Sequence, residues 1–156
     1  MLPKPSEIDG KDFINIYSKG KTSLGRWLTN FARSPIEIPE HGCFQSIEGY
    51  WYWLGTRDER LRDLVGFQAK QLGRQLKSDK QVESVDGFEE FIKAAIDLKL
   101  KSRYDMMQAL AATDLPLFHF YEYGNKRIDA GYEWILEHID LRRRQLKEYF
   151  QSKENL

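Results

Sequence analysis

Tyr50, Trp51, Tyr52 and Trp53 are four consecutive aromatic residues inside FQSIEGYWYWL, residues 44–54. Successive side chains on a helix point about 100° apart, so four rings in a row span its whole circumference. A helix carrying them cannot be an ordinary surface helix with one apolar stripe. It must be packed on several sides, and at least one ring has to line a cleft or lie at the surface, where flat side chains stack on flat ligands. A chain of 156 residues is long enough to bury such a helix in one domain without disulfide staples. Its single cysteine, Cys43, excludes a disulfide-rich secreted scaffold. The 24 basic and 24 acidic side chains cancel, which argues against a strongly basic nucleic-acid binder or an acidic tail. No apolar run approaches the roughly 20 residues of a membrane span. The opening MLPKPSEIDG lacks the apolar core of a signal peptide, so the expectation is a cytoplasmic protein.

Hydrophobic periodicity predicts a predominantly helical α+β domain over 13–151, with an irregular arm over 1–12 and a short tail over 152–156. FINIY (13–17) and PIEI (35–38) alternate like half-buried strands, and Cys43-Phe44 reads as a return strand after the turn at Pro39-Glu40-His41-Gly42. Gln45 or Ser46 caps a helix that Gly55 ends. Thr56 with Glu59 has capping-box spacing and opens a helix broken at Gly66. A further helix covers 68–76, and 78–86 is a polar connection. Asp86 opens a helix with the stripe Phe88, Phe91, Ile92, Ala95 and Leu98, and Ser102 opens the next, which Pro116 stops. FHFYEY-GN-KRIDA is a hairpin with its tight turn at Gly124-Asn125. A last helix over 131–151 shows Tyr132, Ile135, Leu136, Ile139, Leu146 and Phe150 on its apolar face, with Arg142, Arg143 and Arg144 as a solvated run.

Four constellations could carry chemistry. Glu48 lies in a first helical turn and shares a face with Trp51 and Tyr52. Desolvation by those rings raises a carboxyl's pKa, while the helix N-terminus opposes the shift. Residues 13–36 contain no acid but carry Lys19, Lys21, Arg26 and Arg33 among Gly20 and Gly25, a composition that reads first as a solvated basic loop and second as a phosphate cradle. Gly73 inside a helical pattern implies close packing or ligand approach, with Arg74 beside it as a partner for a phosphate or a carboxylate. His119, Tyr121 and Tyr123 share a strand face, and Asp129 precedes the last helix. His41, His119 and His138 have no close ligand spacing, so no metal site is expected.

The order LTNFARSPIEI, CFQSIEGYWYWL and AKQLGR, followed by the helix ending at Leu100, resembles the NADAR family. The matching positions are Asn30, Phe31, Pro35 and Ile36, then Phe44, Ser46, Glu48 and Trp51, then Ala69 to Arg74. The resemblance covers about residues 13–139 and implies a compact NADAR-like domain, α-rich with a few short strands. Two departures mark a divergent, phage-type branch. Gly49 stands where the family pattern carries a histidine, and residues 121–131 replace its glycine-rich C-terminal segment.

The resemblance implies an N-glycosidase of ADP-ribose-type compounds, a hydrolase of the YbiA-like kind that needs no cofactor and no metal. Glu48 becomes the leading catalytic residue and Asp129 its runner-up partner. Lys19, Lys21, Arg26, Arg33 and Arg74 become candidates for the diphosphate, with Asn30, Phe31, Trp51, Tyr123 and Gly124 completing the substrate site. The implied partner is ADP-ribose on guanine in DNA. The alternatives are free metabolites such as riboflavin intermediates, a non-catalytic NAD or ADP-ribose module, and a helical protein-interaction module. No membrane partner is expected, and the sequence leaves the oligomeric state open.

Overall fold

The computed structural model of the chain describes residues 4–79 and 84–154. In chain order the elements are α1 (Pro5–Ile8), β1 (Ile14–Asn15), α2 (Ser23–Leu28), β2 (Ile36–Ile38), β3 (Gly42–Phe44), α3 (Ile47–Thr56), a 3-10 turn (Glu59–Asp63), α4 (Gly66–Asp79), α5 (Phe88–Ser102), α6 (Tyr104–Ala112), β4 (Leu117–Phe118), β5 (Phe120–Tyr123), β6 (Lys126–Asp129) and α7 (Glu133–Glu154). Helices dominate and the strands are short, so the α+β expectation holds. The elements gather into two compact units, Met1–Thr29 with Arg103–Leu156, and Asn30–Ser102. No helix among the described residues is long and apolar enough to cross a membrane.

In the unit that joins the chain's two ends, β1 pairs in parallel with β4, Ile14 opposite Leu117 and Asn15 opposite Phe118. The segment predicted as half-buried is buried at Phe13, Ile14, Asn15 and Ile16. The reason is α2, which closes on the strand so tightly that a Cβ at Gly25 would collide with the Asn15 carbonyl. The N-terminal arm is not irregular throughout. Pro5 starts α1. The buried Asp9 carboxylate accepts from the Asn15 N–H (3.0 Å) and the Lys21 N–H (2.8 Å). The segment predicted as one strand, 118–123, divides at His119, because β4 pairs with β1 whereas β5 turns away into a hairpin with β6. That hairpin has the expected two-residue turn, with Tyr123 opposite Lys126. Gly124 in the turn has a left-handed φ of 61°.

Helices α6 and α7 pack together. The buried positions of α7 are Ile135, His138, Ile139 and Arg143, whereas Tyr132 is exposed at its entrance. Arg143 thus departs from the solvated run predicted for 142–144. It donates to the Asp140 carboxylate (2.6 Å) and to the carbonyls of Leu115 (2.7 Å) and Thr113 (3.4 Å). Lys147 adds a bond to the Ala111 carbonyl (2.6 Å). These cations satisfy carbonyls at the end of α6, Ala111 and Thr113, and in the loop just after it, Leu115.

In the other unit, β2 and β3 form the predicted hairpin, Ile36 opposite Phe44. Three of the four consecutive rings are core: Tyr50, Tyr52 and Trp53 are buried, and Trp51 is half-buried, edge-on to Phe88 at 4.7 Å between centroids. Phe44 touches Tyr50 (4.9 Å) and Trp53 (5.1 Å), and His41 Nδ1 lies 2.7 Å from the Tyr50 hydroxyl. Gly55 does not end α3. The helix runs to Thr56 and stops at Arg57, whose φ of 56° is left-handed. Thr56 and Glu59 open no α-helix; Asp58 caps the 3-10 turn instead, accepting from Arg60 N–H at 3.0 Å.

Helix α4 begins at Gly66 and extends beyond the predicted 68–76. Its buried residues Ala69, Gly73 and Leu76 lie at i, i+4 and i+7 and pack on α3. A Cβ at Gly73 would enter the Tyr52 ring, so close packing is the reason for that glycine. Within the polar connection expected at 78–86, residues 80–83 lie outside the described residues. In α5 the buried set is Ile92, Ala95, Ile96, Lys99 and Leu100, turned from the predicted stripe, and Phe91 is partly exposed. Ser102 does not cap the next helix; its hydroxyl turns back to the Lys99 carbonyl, and Arg103 takes the N-cap position of α6.

Candidate active site around Glu48

The site is built at the start of α3. Ser46 caps the helix, accepting from the Gly49 N–H (3.1 Å) and donating to the Leu64 carbonyl (2.8 Å). A serine in this position satisfies a first-turn N–H that has no helical partner. The second bond ties the first turn to the chain leaving the 3-10 turn. A Cβ at Gly49 would collide with the Leu61 carbonyl, so position 49 is backbone packed on backbone. The Glu48 N–H donates to the Asn30 carbonyl (2.9 Å), and the Gly66 N–H donates to the Phe31 carbonyl (3.0 Å). Asn30 and Phe31 are therefore pinned to the starts of both α3 and α4.

The Glu48 side chain is only partly exposed, and no hydrogen bond or ion pair to its carboxylate is found among the described residues. Burial pushes its pKa up to about 7, against the pull of Lys70, Arg74 and Lys77, in that order. Desolvation therefore outweighs the three cations. Lys70, Arg74 and Lys77 stand at i, i+4 and i+7 on α4, one residue on from its buried set, so they form a single stripe flanking the packed face. The Lys70 ammonium lies 5.7 Å from the Phe31 ring centroid and the Lys77 ammonium 5.1 Å from that of Tyr52. Ammonium groups at such distances are attracted to the ring faces. A carboxyl titrating near neutrality can donate or accept a proton, and a row of three cations suits a ligand with more than one negative charge.

Of the residues expected from sequence, Glu48, Asn30, Phe31, Trp51 and Arg74 belong to this unit, as does Arg33, whose guanidinium donates to the Gln45 side chain (3.2 Å). Lys70 and Lys77 were not expected at the site. Their signal was present in the spacing of AKQLGRQLK, where Arg74 has a basic residue one turn to either side. Lys99 is a second unexpected group. It lies in the same unit, is 2% exposed, and burial pushes its pKa down to about 7.

Lys19, Lys21, Arg26, Tyr123, Gly124 and Asp129 belong to the other unit. Lys19 and Lys21 are exposed. Arg26 is turned onto its own loop, donating to the Gly20 carbonyl at 2.8 Å. Gly20 and Gly25 both lie against the Asn15 carbonyl, so these glycines serve packing there. Asp129 is exposed at the end of β6 and accepts from Arg127 at 3.1 Å. Among the described residues no group of three or more His, Cys, Asp or Glu side chains could hold a metal ion.

Among solved structures, the chain is similar to the NMR structure of the E. coli protein YbiA, with a TM-score of 0.65 and 21% identity over 96% of each chain. The chain has the YbiA fold. No protein-family model matches the sequence, and no curated protein matches it. In this YbiA-like chain the two departures from the NADAR pattern have local physical causes. A histidine at position 49 would have no room beside Leu61 and Leu64. Residues 120–129 are committed to the β5–β6 hairpin.

Proposed function

We propose that the chain is an N-glycosidase of ADP-ribose-type substrates, with ADP-ribose attached to guanine in DNA as the substrate to test first. The observation that carries this reading is the half-buried Glu48 carboxyl, titrating near 7, beside the cationic stripe of α4. The YbiA fold and the NADAR-like order of the motifs support it.

Cleavage of an N-glycosidic bond builds positive charge at the anomeric carbon. The carbon–nitrogen bond breaks, its electron pair leaves with the base, and water adds to the carbon. The Glu48 carboxylate stabilises the cation and takes a proton from the attacking water; its acid form protonates the departing nitrogen. Arg74, Lys70 and Lys77 hold the diphosphate. Phe31 and Trp51 line the substrate.

The test is to incubate wild type and Glu48→Gln with guanine-ADP-ribosylated single-stranded DNA. Release of ADP-ribose by wild type and a loss of at least about 100-fold in the variant is the expected result. Equal release by both would remove Glu48 from the mechanism. No release by folded wild type, with turnover of a free riboflavin intermediate, would move the substrate to free metabolites.

A further inference from the structure

The β5–β6 hairpin sorts its side chains by chemistry. Directly opposed residues of an antiparallel pair share a face. The register places Tyr121 opposite Ile128 and Tyr123 opposite Lys126, with His119 two residues before Tyr121 on the same side. The other side carries Glu122 opposite Arg127 and Phe120 opposite Asp129. Both carboxylates of the hairpin therefore lie on one face, and the tyrosines, His119 and Lys126 on the other.

The acid-free face continues onto the chain leaving β1. The Tyr17 ring lies 5.8 Å from that of Tyr121, which in turn lies 5.9 Å from His119 and 6.5 Å from Tyr123. Exposed Lys19 and Lys21 follow Tyr17 closely, and the nearby Asp9 carboxylate is occupied by backbone N–H groups of Asn15 and Lys21. Tyr123 is 63% exposed and Ile128 47%. Lys126 stands opposite Tyr123 at the tip of this row of rings, and exposed Lys19 and Lys21 lie within four residues of Tyr17, although the whole chain carries no net charge.

We infer that this face binds single-stranded nucleic acid, with bases stacked on Tyr123 and Tyr121 and the backbone phosphates near Lys126, Lys19 and Lys21. Rings at these separations suit bases splayed from one another, and stacking is tolerant of sequence because every base has a π-face. Double-stranded DNA offers no free base faces. The charge sorting selects an anion over a neutral or basic peptide, and the row of rings selects bases over the small carboxylates of an acidic peptide. The inference deepens the DNA arm of the proposed function and rests on that reading, but its residues are separate from Glu48.

The test is fluorescence anisotropy with a labelled 12-nucleotide oligothymidine. Three phosphate contacts on a single strand predict a fall in affinity of about 20-fold between about 50 and 200 mM salt. Tyr123→Ala should weaken binding at least about 5-fold and Tyr123→Trp should restore it. Lys126→Glu should weaken binding and flatten the salt dependence, whereas Lys153→Glu, the same charge change at an exposed α7 residue, should have less effect. Glu48→Gln should bind the oligonucleotide as wild type does, so failure of the glycosidase reading and failure of this one are distinguishable. Absence of salt-dependent binding, or equal affinity of wild type, Tyr123→Ala and Lys126→Glu, would overturn the inference. So would a Tyr123-dependent self-association without oligonucleotide binding, which would make the face a contact between copies.

Discussion

Replacing Glu48 by Gln should make the protein more stable above neutral pH and change the shape of its stability curve. A carboxyl raised from 4.5 to about 7 holds its proton more tightly folded than unfolded. Between those values the native state therefore binds more protons, and stability falls as pH rises. At about 1.4 kcal/mol per pH unit the full effect would be roughly 3.4 kcal/mol. Residual solvent contact of the carboxyl screens part of it, leaving about 2–3 kcal/mol. Glutamine has nearly the same shape and never ionises, so the variant should match wild type near pH 4.5 and exceed it by that amount at pH 8. Urea unfolding followed by tryptophan fluorescence at pH 4.5, 6, 7 and 8 reads this as a midpoint difference growing to about 1–2 M. A difference that is constant with pH, or a variant less stable at pH 8, would mean that the Glu48 carboxylate is well solvated or paired. The proton-transfer role would then lose its physical basis.

The remaining expectations concern the packing and charges around that group. Lys70→Met removes the largest electrostatic pull on Glu48, so the carboxyl should titrate higher and the pH–rate profile of the proposed reaction should shift to alkaline pH. Gly73→Ala should destabilise by about 1–3 kcal/mol, because an added methyl group overpacks the contact with the Tyr52 ring. Thermal unfolding would show it, and an unchanged midpoint would refute the close approach. Arg143→Met should cost about 2–4 kcal/mol by leaving the Thr113 and Leu115 carbonyls without their donor, as read by urea unfolding. Lys99 has a depressed pKa, so its burial costs stability at neutral pH and less as pH rises from about 7 towards 10.5. Lys99→Met should raise the neutral-pH midpoint and remove that rise.

Features set by local chain chemistry were legible in the sequence. The Ser46 cap, the β2–β3 turn and the Gly124-Asn125 hairpin depend on residues within a few positions of one another. So does the placement of Glu48 in a first turn. Features set by contacts between distant segments were not legible. Gly20, Gly25, Gly49 and Gly73 all have the composition of ligand loops or helix breakers, yet each of these four glycines lies against a backbone or ring elsewhere in its unit. Arg143 looks like one cation in a run of three until the end of α6 is placed beside it. Lys99 follows the spacing of Ile92, Ala95 and Ile96, but a lysine at a core spacing reads as a surface residue unless its helix is known to be enclosed. At the candidate site, Glu48, Arg74 and the spacing of Lys70 and Lys77 were legible; that the three cations face Glu48 needed the rotation of α4 fixed by Gly73.

The Asn15 side chain is 3% exposed and pairs with both polar groups of Phe120, donating to its carbonyl and accepting from its N–H, each at 3.1 Å. An amide is the side chain that offers a donor and an acceptor side by side, so it stands in for a strand partner at the point where the chain leaves β4 for β5. One consequence concerns tolerance to sequence change. Phe120 and Asn15 fasten the root of the hairpin, so the exposed tip, residues 123–126, is relieved of holding it in place. Their outward side chains can drift under selection for what they touch, while the root must stay as it is. Asn15→Asp keeps the size but loses the donor, and is the smallest change that would loosen the hairpin without altering any residue on it.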